Sequence, residues 1–523
     1  MKLTASLTGS ERRLVLALSI AAACVLTLTT SFNYLLVPIS KEFTPSEPQL
    51  ALLRQAPIVA ALLVVFPAGA LGARIGEKRF AFWCVITFAV GAVIVAVAPV
   101  VQVVILGVVV ANIGRAALFI VGLGYMASVV SGKDGRAAAF AVYSMVLPVT
   151  FLTMPILAGL VINLGGWRWV AVICAAFGVV GAFLIHRLVP GRPGRGGVGE
   201  MWTPALAGLF FVLLVQALQW TGNEGLTSPR SIAYALAAAG VLGVLAVLMR
   251  RLAQPSLSLA PLRDGGFALL LILLLLFCFA NLWFYTTLAF EYVYGLSSLQ
   301  TAAALVPAQV AGLCGAVLAG RLIQLKGIAV AGSLLMAGVA VCLGLSSVAR
   351  VDSPIWLPMA IVAAYALASA GAGVALTNAI MNTAPRGSEG GAAAFRGAFS
   401  NLGSAVSVTF MTMIVTTAVH HSLLTRARRD GLNLSSEVLS EVSRALRQGQ
   451  STLSASQTYS LPLETVQVVD TIHFESLMTG YRTHGWVGGG VTLIVAAAFY
   501  LVVRRQERQR ACSRGEAGDS AAT

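Results

Sequence analysis

Three charged residues in the sequence lie in or at the ends of long apolar stretches, where a charge is costly. Arg115 lies near the middle of the fourth such stretch, with Asn112 one helical turn before it on the same side. Arg396 lies a turn or two into the thirteenth stretch, and Glu291 lies near the outer end of the ninth. A charge inside a bilayer costs a few kcal/mol by insertion scales, so such residues usually have a function. We therefore predict that these three charges bind substrate or couple ions.

Each of the three also has a simpler interpretation. The long side chain of Arg396 could extend to the inner membrane surface, and Glu291 could be an interfacial carboxylate in water. Arg115 is too deep to reach either surface easily. Of the 20 acidic residues, only Glu291 falls near the membrane interior. A proton carried by a carboxylate would therefore be carried at this position.

Neutral polar residues on the same apolar stretches could complete a binding cavity: Thr29, Asn33, Asn112, Asn281, Tyr285 and Gln309. Hydrogen bonding between helices is the alternative for each of them. The five histidines show no metal-ligand spacing, and the chain has no G-x-x-x-x-G-K-[ST] phosphate loop. The scattered acids and histidines also form no catalytic constellation. We therefore predict no metal, no cofactor, no ATP-driven pump and no enzyme.

The elements that must position these residues are membrane-spanning helices. The chain has 523 residues, of which 58% are hydrophobic and 11% charged, whereas soluble domains have about 25% charged residues. Stretches of roughly 20 apolar residues, enough to cross a bilayer as a helix, recur throughout. We predict an all-α integral membrane protein with about fourteen spans, over 14–38, 55–73, 79–99, 102–130, 137–163, 167–188, 202–221, 230–249, 267–290, 299–321, 327–348, 355–381, 391–419 and 485–503.

The net charge of +15 is distributed between these spans rather than over one face. Lysine and arginine are concentrated in alternate connections, which predicts a plasma (inner) membrane protein with both termini in the cytoplasm and no nucleic-acid partner. We predict an N-terminal six-helix half over 1–188, a linker with two extra spans over 189–266, a C-terminal six-helix half over 267–503 and a tail over 504–523. The last half includes a long outer connection over 420–484. Within it, 435–448 has the apolar spacing of a short amphipathic helix, although a solvated loop fits equally well.

Short motifs recur in the two halves. Gly69-Ala70-Leu71 leads to Gly76, and Gly320-Arg321-Leu322 leads to Gly327, each at the cytoplasmic end of a span. The first copy belongs to G-A-L-G-A-R-I-G-E-K-R, and a later segment reads P-I-L-A-G followed by G-G-W-R-W. By these motifs the chain resembles the major facilitator superfamily, and specifically its fourteen-span drug/proton antiporter branch. The resemblance covers nearly the whole chain.

The resemblance implies a fold of two six-helix halves with two additional central helices. It implies a monomeric secondary carrier that exports a small amphiphilic molecule, driven by the proton gradient through alternating access. It further implies a conformational switch loop containing Gly69, Gly72, Arg74, Gly76, Lys78 and Arg79, and helix packing at Pro155 and Gly159.

The chain departs from this branch in the charge of its spans. Relatives commonly carry an Asp in the first span, where this chain has Thr29, and the deep charges here are the two arginines. A cavity with net positive charge favours an acidic or zwitterionic substrate. The alternatives are an ordinary multidrug cation/proton efflux carrier and a transport-dead sensor or scaffold that keeps the fold.

Overall fold

In the computed structural model the described part of the chain is helical throughout and contains no strand. It comprises residues 7–519 without 46, 131, 192–193, 195–199, 225–226, 253–256, 258, 297, 349, 351–352, 385–387, 431–437, 440 and 443–451. The first seven helices are α1 Gly9–Phe43, α2 Glu47–Ile75, α3 Glu77–Ala96, α4 Val101–Val129, α5 Lys133–Ser144, α6 Val146–Gly165 and α7 Trp167–Leu188. A central pair follows, α8 Trp202–Glu224 and α9 Pro229–Arg251.

The remaining helices form the C-terminal set. They are α10 Ala260–Arg263, α11 Gly265–Phe277, α12 Leu282–Leu288, α13 Ser298–Ala304, α14 Val306–Ser346, α15 Trp356–Thr383, α16 Glu389–Arg429, α17 Thr452–Tyr459 and α18 Leu463–Asp519. Within the described residues, 13 helical segments are long and apolar enough to cross a membrane. One of these, α14, has 41 residues and non-helical dihedral angles at Gly327, so it consists of two crossing segments. If these two segments are counted separately, the number of candidate spans in the described residues rises from 13 to about fourteen. The predicted all-α membrane architecture is confirmed.

Several spans are interrupted next to a proline or at a residue with extended backbone. Proline has no N–H to donate to the preceding turn. Accordingly, α5 and α6 are separated at Met145, just before Pro148, and α13 and α14 are separated at Leu305, just before Pro307. The span made by α11 and α12 is interrupted at Asn281, whose backbone is extended. Irregular backbone at membrane depth is tolerated where it lines a cavity, so this break indicates where a cavity lies.

The predicted internal repeat has a backbone counterpart. Gly76 ends the turn between α2 and α3 with φ 96°, and Gly327 breaks α14 with φ 80°. Both values lie in the region that side chains with a Cβ rarely adopt, which accounts for glycine at both positions. The two copies of the motif therefore form the same kind of turn.

One member of the central pair bridges the N-terminal and C-terminal sets. Helix α8 packs against both α2 and α16. The ring of Phe211 lies 5.5 Å from that of Phe66 on α2 and 6.1 Å from that of Phe399 on α16. Gln216 on α8 also donates a hydrogen bond to Gln55 on α2 at 3.0 Å. Helix α8 thus covers one side of the boundary between the two sets, while α9 packs mainly on α8.

The connection predicted over 420–484 is in large part helical. Helix α16 continues to Arg429, and α18 already begins at Leu463. The extension is stabilised by an apolar cluster in which Leu423 and Ala427 of α16 pack with Val466 and Val469 of α18. Of the predicted amphipathic segment, Leu439 and Val442 are buried in this cluster, and 443–448 lie outside the described residues. This cluster explains why the helices continue beyond the length that a bilayer requires.

The G-G-W-R-W motif connects the ends of three helices. The Glu42 carboxylate accepts hydrogen bonds from Trp167 Nε1 at 2.7 Å and Arg168 Nη1 at 2.8 Å. Arg168 Nη2 also donates to the carbonyl oxygen of Ala98 at 3.0 Å. These contacts join the ends of α1, α3 and α7. The hydrogen bond from Trp167, and after it that from Arg168, hold the pKa of the Glu42 carboxyl below its ordinary range.

We expect Glu42→Gln to lower the apparent melting temperature of the purified protein at pH 7. Because the folded-state pKa is lowered, the ionised carboxylate stabilises the fold above about pH 4.3, and this contribution is lost as the pH falls through the folded-state pKa. The ion pair is substantially exposed, so the effect is no more than about 1 kcal/mol. Melting at pH 7 and below pH 4, with exposed Asp430→Asn as control, tests this. A difference from wild type that persists undiminished at low pH would contradict it.

Candidate functional site

A cavity of about 1140 Å³ lies between the N-terminal and C-terminal sets of helices. Its walls come from α1, α2, α4, α5 and α6 on one side and from α12, α14, α15 and α16 on the other. Most of the lining is apolar, including Leu26, Ile120 and Leu147. Both deep arginines, Arg115 on α4 and Arg396 on α16, line it. The cavity is therefore an apolar chamber with one guanidinium from each set.

Arg115 is held in place by a polar cluster on α1 and α4. Its Nε donates to Asn112 Oδ1 at 2.8 Å, and Thr29 Oγ1 donates to the same oxygen at 3.2 Å. Asn112 Nδ2 in turn donates to the carbonyl oxygen of Val108 at 2.9 Å. Asn112 is buried and Arg115 is half-buried. The cluster uses one edge of the guanidinium and leaves the two terminal nitrogens of Arg115 with no partner among the described residues.

Arg396 is held by a single hydroxyl on the neighbouring helix α15. Its Nε and Nη2 both donate to Thr377 Oγ1, at 3.0 and 2.7 Å. The remaining terminal nitrogen has no partner within the described structure. Because Arg396 lines the cavity and bonds to Thr377, its side chain is not extended to the membrane surface.

Neither guanidinium is neutralised by a carboxylate in the described part of the chain. The ion pairs Arg168 with Glu42 and Arg426 with Glu475 involve no residue that lines the cavity. The acceptors of Arg115 and Arg396 are an amide and a hydroxyl, which carry no charge. The cavity therefore has a net positive charge from these residues.

The cavity is closed at one end by glycines in close contact. We call this the basic end, because Arg74, Lys78, Arg79 and Lys133 lie there, where α2 meets α3 and α4 meets α5. A Cβ at Gly69 would lie 2.8 Å from the carbonyl oxygen of Gly390, and one at Gly124 would lie 3.2 Å from Gly390 Cα. Helices α2, α4 and α16 thus meet backbone to backbone. Arg136 Nη1 also donates to Asn382 Oδ1 at 3.2 Å across the same closure.

The opposite end of the cavity is lined by residues near the far ends of the helices. Tyr34 and Gly159 come from the N-terminal set, and Trp283, Thr287 and Ala303 from the C-terminal set. A Cβ at Gly159 would have nothing within 4 Å. The cavity is thus closed at the basic end and extends toward the opposite end of the helices.

The structure brings together part of the predicted binding set. Arg115, Arg396, Asn281 and Gln309 line the cavity, whereas Thr29 and Asn112 lie behind Arg115 and orient it. Tyr285 does not line the cavity, and its ring packs on that of His484 at 4.2 Å. The backbone of Glu291 lies in a π-helical turn, Ala289–Val293, but the side chains of Glu291, Asn33 and Pro155 lie outside the described residues.

The predicted switch loop has distinct contacts for each glycine. Gly69 packs on Gly390, a Cβ at Gly72 would lie 2.9 Å from Val121 Cγ2, and Gly76 forms the turn. Gly159, for which the sequence predicts a role in helix packing, lies at the cavity wall, and a Cβ there would have nothing within 4 Å. No group of three or more His, Cys, Asp or Glu in the described chain could hold a metal ion.

The polar cavity residues that sequence reasoning missed include Tyr143 and Thr377. The Tyr143 hydroxyl is buried and has no hydrogen-bond partner among the described residues, and Thr377 is the acceptor for Arg396. Tyr143 is the one tyrosine in the predicted span 137–163, a signal that could have identified it. Thr377 had no comparable signal, because its partner lies on another helix.

Comparison with known proteins identifies a family and a similar fold. The family model described as Major Facilitator Superfamily matches residues 18–408. The fold is similar to the crystal structure of the human organic anion transporter MFSD10 (TETRAN), with a TM-score of 0.61, 12% sequence identity and coverage of 94% of this chain and 100% of that chain. At this identity the similarity concerns the fold alone. No curated protein shows a significant sequence match.

Proposed function

Since the chain belongs to the Major Facilitator Superfamily, and is thus a secondary transporter in a membrane, we propose that its substrate is a small amphiphilic organic anion. The observation that supports this most directly is the pair of cavity arginines without a carboxylate partner in the described structure. An uncompensated charge in an apolar cavity is costly. A bound carboxylate, phosphate or similar group would offset that cost, and the guanidinium fork matches such groups.

The amphiphilic character of the substrate is inferred from the cavity walls. Apolar side chains line most of the chamber between the two arginines, and ligand pockets of this kind bury hydrocarbon while a few polar groups fix orientation. The human protein of similar fold is an organic anion transporter, so the fold is compatible with such substrates.

We propose that the basic end faces the cytoplasm, because the positive-inside bias of the connections favours it. The conformation described here is then outward-facing, and transport requires the glycine contacts at the basic end to open. The moving units would be the halves 1–188 and 267–503, joined by 189–266. We further propose that the carrier acts as a monomer in the plasma membrane and that export is driven by protons.

Solute counterflow in proteoliposomes tests the carrier function. Vesicles preloaded with an unlabelled aryl-alkyl carboxylate should accumulate the labelled compound transiently, because a carrier exchanges substrate without net energy input. A transport-dead sensor or scaffold would bind the compound without counterflow. Absence of counterflow for carboxylates together with counterflow of lipophilic amines would support the multidrug cation alternative instead.

We expect Glu291→Gln to abolish proton-driven accumulation of the substrate and to spare exchange. Glu291 is the acidic residue that the sequence places nearest the membrane interior, and an amide cannot release a proton. Accumulation under an imposed pH gradient should be compared with counterflow in the same vesicles, with exposed Glu464→Gln as the control. A Gln variant whose accumulation still depends on the pH gradient would exclude Glu291 as the coupling site.

A further inference from the structure

The two cavity arginines lie at different depths. Helix α4 runs through the cavity wall from Arg115 toward the basic end. A Cβ at Gly397, next to Arg396, would lie 2.6 Å from Ile120 Cδ1, so the backbone at Arg396 is level with Ile120 of α4. Ile120 lies five residues beyond Arg115, which corresponds to about 7.5 Å along the helix axis. The positive charges therefore form an upper and a lower site rather than one cluster.

The lower site has a second polar group. A Cβ at Gly122 would lie 3.3 Å from the Tyr143 hydroxyl oxygen. Gly122 is two residues beyond Ile120, so this hydroxyl lies nearer the level of Arg396 than that of Arg115. The hydroxyl is buried, belongs to a cavity-lining residue and has no hydrogen-bond partner among the described residues. Arg396 and Tyr143 thus present a guanidinium and a free hydroxyl donor at the cavity floor. An acidic group bound there would satisfy both.

The upper site is Arg115, whose two terminal nitrogens have no partner among the described residues. Between the two levels the wall includes Phe119 of α4 and Leu147 of α6. No charged side chain among the described lining residues lies between the arginines. The chemistry that fits is an acidic group at each end of an apolar spacer.

Resting on the proposed function, we propose that the substrate is a dianion with two acidic groups separated by a hydrocarbon spacer, bound at once by Arg115 of the N-terminal set and Arg396 of the C-terminal set. One substrate would then connect the two sets of helices across the cavity. A monoanion would neutralise one guanidinium and leave the other uncompensated, so it should bind more weakly.

Binding of α,ω-alkanedioates to the purified full-length protein tests this, with alkanoates of the same carbon number as the matched series. Lengths from four to twelve carbons should show an intermediate optimum, at which the dianion binds at least about tenfold more tightly than the monocarboxylate. Arg115→Gln and Arg396→Gln should each reduce the dianion to the affinity of the monocarboxylate. Tyr143→Phe, which keeps the ring and the charge, should weaken the optimal dianion severalfold.

Three outcomes would overturn the proposal. The first is that dianions and monocarboxylates bind with equal affinity and that this affinity depends on only one of the two arginines. This result would exclude the dianion but would leave the proposed anionic substrate unaffected. The second is the absence of any length optimum or of any dianion binding. The third is tighter binding of alkylamines than of every carboxylate, which would overturn the proposed anionic substrate as well. If a Gln variant is unstable, Arg115→Lys and Arg396→Lys replace it in the test. These variants keep the positive charge but lack the planar guanidinium that binds an acidic group with two hydrogen bonds.

Discussion

Replacing Arg115 by glutamine should weaken binding of an anionic substrate roughly 10- to 150-fold. Hydrogen bonds to charged groups contribute about 1.5–3 kcal/mol, and tenfold corresponds to about 1.4 kcal/mol. The glutamine keeps a polar side chain beside Asn112, which itself stays bonded to Val108, so the helix pair α1 and α4 should remain assembled. Equilibrium binding of a carboxylate probe and its counterflow rate measure the loss.

Arg250→Gln is the matched control for this change. Arg250 is exposed at the end of α9, which packs mainly on α8, so its replacement removes the same charge without touching the cavity. Binding of a neutral analogue of the probe, such as its primary amide, should be nearly equal in both variants. If Arg115→Gln and Arg250→Gln bind the carboxylate with wild-type affinity, Arg115 does not recognise the anion.

Replacing Gly390 by leucine should open the basic end and reduce transport at least about tenfold. Even a Cβ at this position would lie 3.1 Å from the carbonyl oxygen of Gly69, and a leucine side chain cannot be accommodated without separating α2 from α16. Overpacking of this kind costs about 1–3 kcal/mol, which is comparable to the few kcal/mol that separate conformations of a switching protein. The equilibrium should therefore move toward the conformation open at the basic end.

Gly391→Leu provides a close comparison, because it adds the same side chain one residue further along α16, where a Cβ would have nothing within 4 Å. A single cysteine at cavity residue Ser144, in a background without the seven native cysteines, reports the change. Membrane-impermeant thiol reagents added from the basic side should label it faster in Gly390→Leu than in Gly391→Leu. Equal labelling and equal transport would show that contact at Gly390 does not close the cavity.

Much of the fold could be predicted because its determinants are local. Apolar length specifies a membrane span, and the i, i+3 spacing of Asn112 and Arg115 predicts the contact that the structure contains. Glycine at the ends of the two repeat motifs agrees with the positive φ of Gly76 and Gly327. These features depend on neighbours within one helix or one turn.

The rest depends on contacts between distant segments, which spacing does not specify. The close contact of Gly390 with Gly69 exists because α2 and α16, which are far apart in the sequence, meet in the fold. The pairing of Arg396 with Thr377 likewise joins two helices. Leu439 and Val442 have the spacing of an amphipathic helix, but the sequence does not show that they are buried against α16 and α18.

The charge preference of the cavity tests the proposed function most directly. An aryl-alkyl carboxylate, its neutral amide and the corresponding amine differ in charge while sharing one hydrocarbon frame, and each can compete for counterflow of a labelled carboxylate. Since the two cavity arginines have no carboxylate partner in the described part of the chain, the carboxylate should compete at a concentration at least about tenfold lower than the amine. Arg115→Gln should remove most of that difference. Stronger competition by the amine, unchanged in Arg115→Gln, would contradict an anionic substrate.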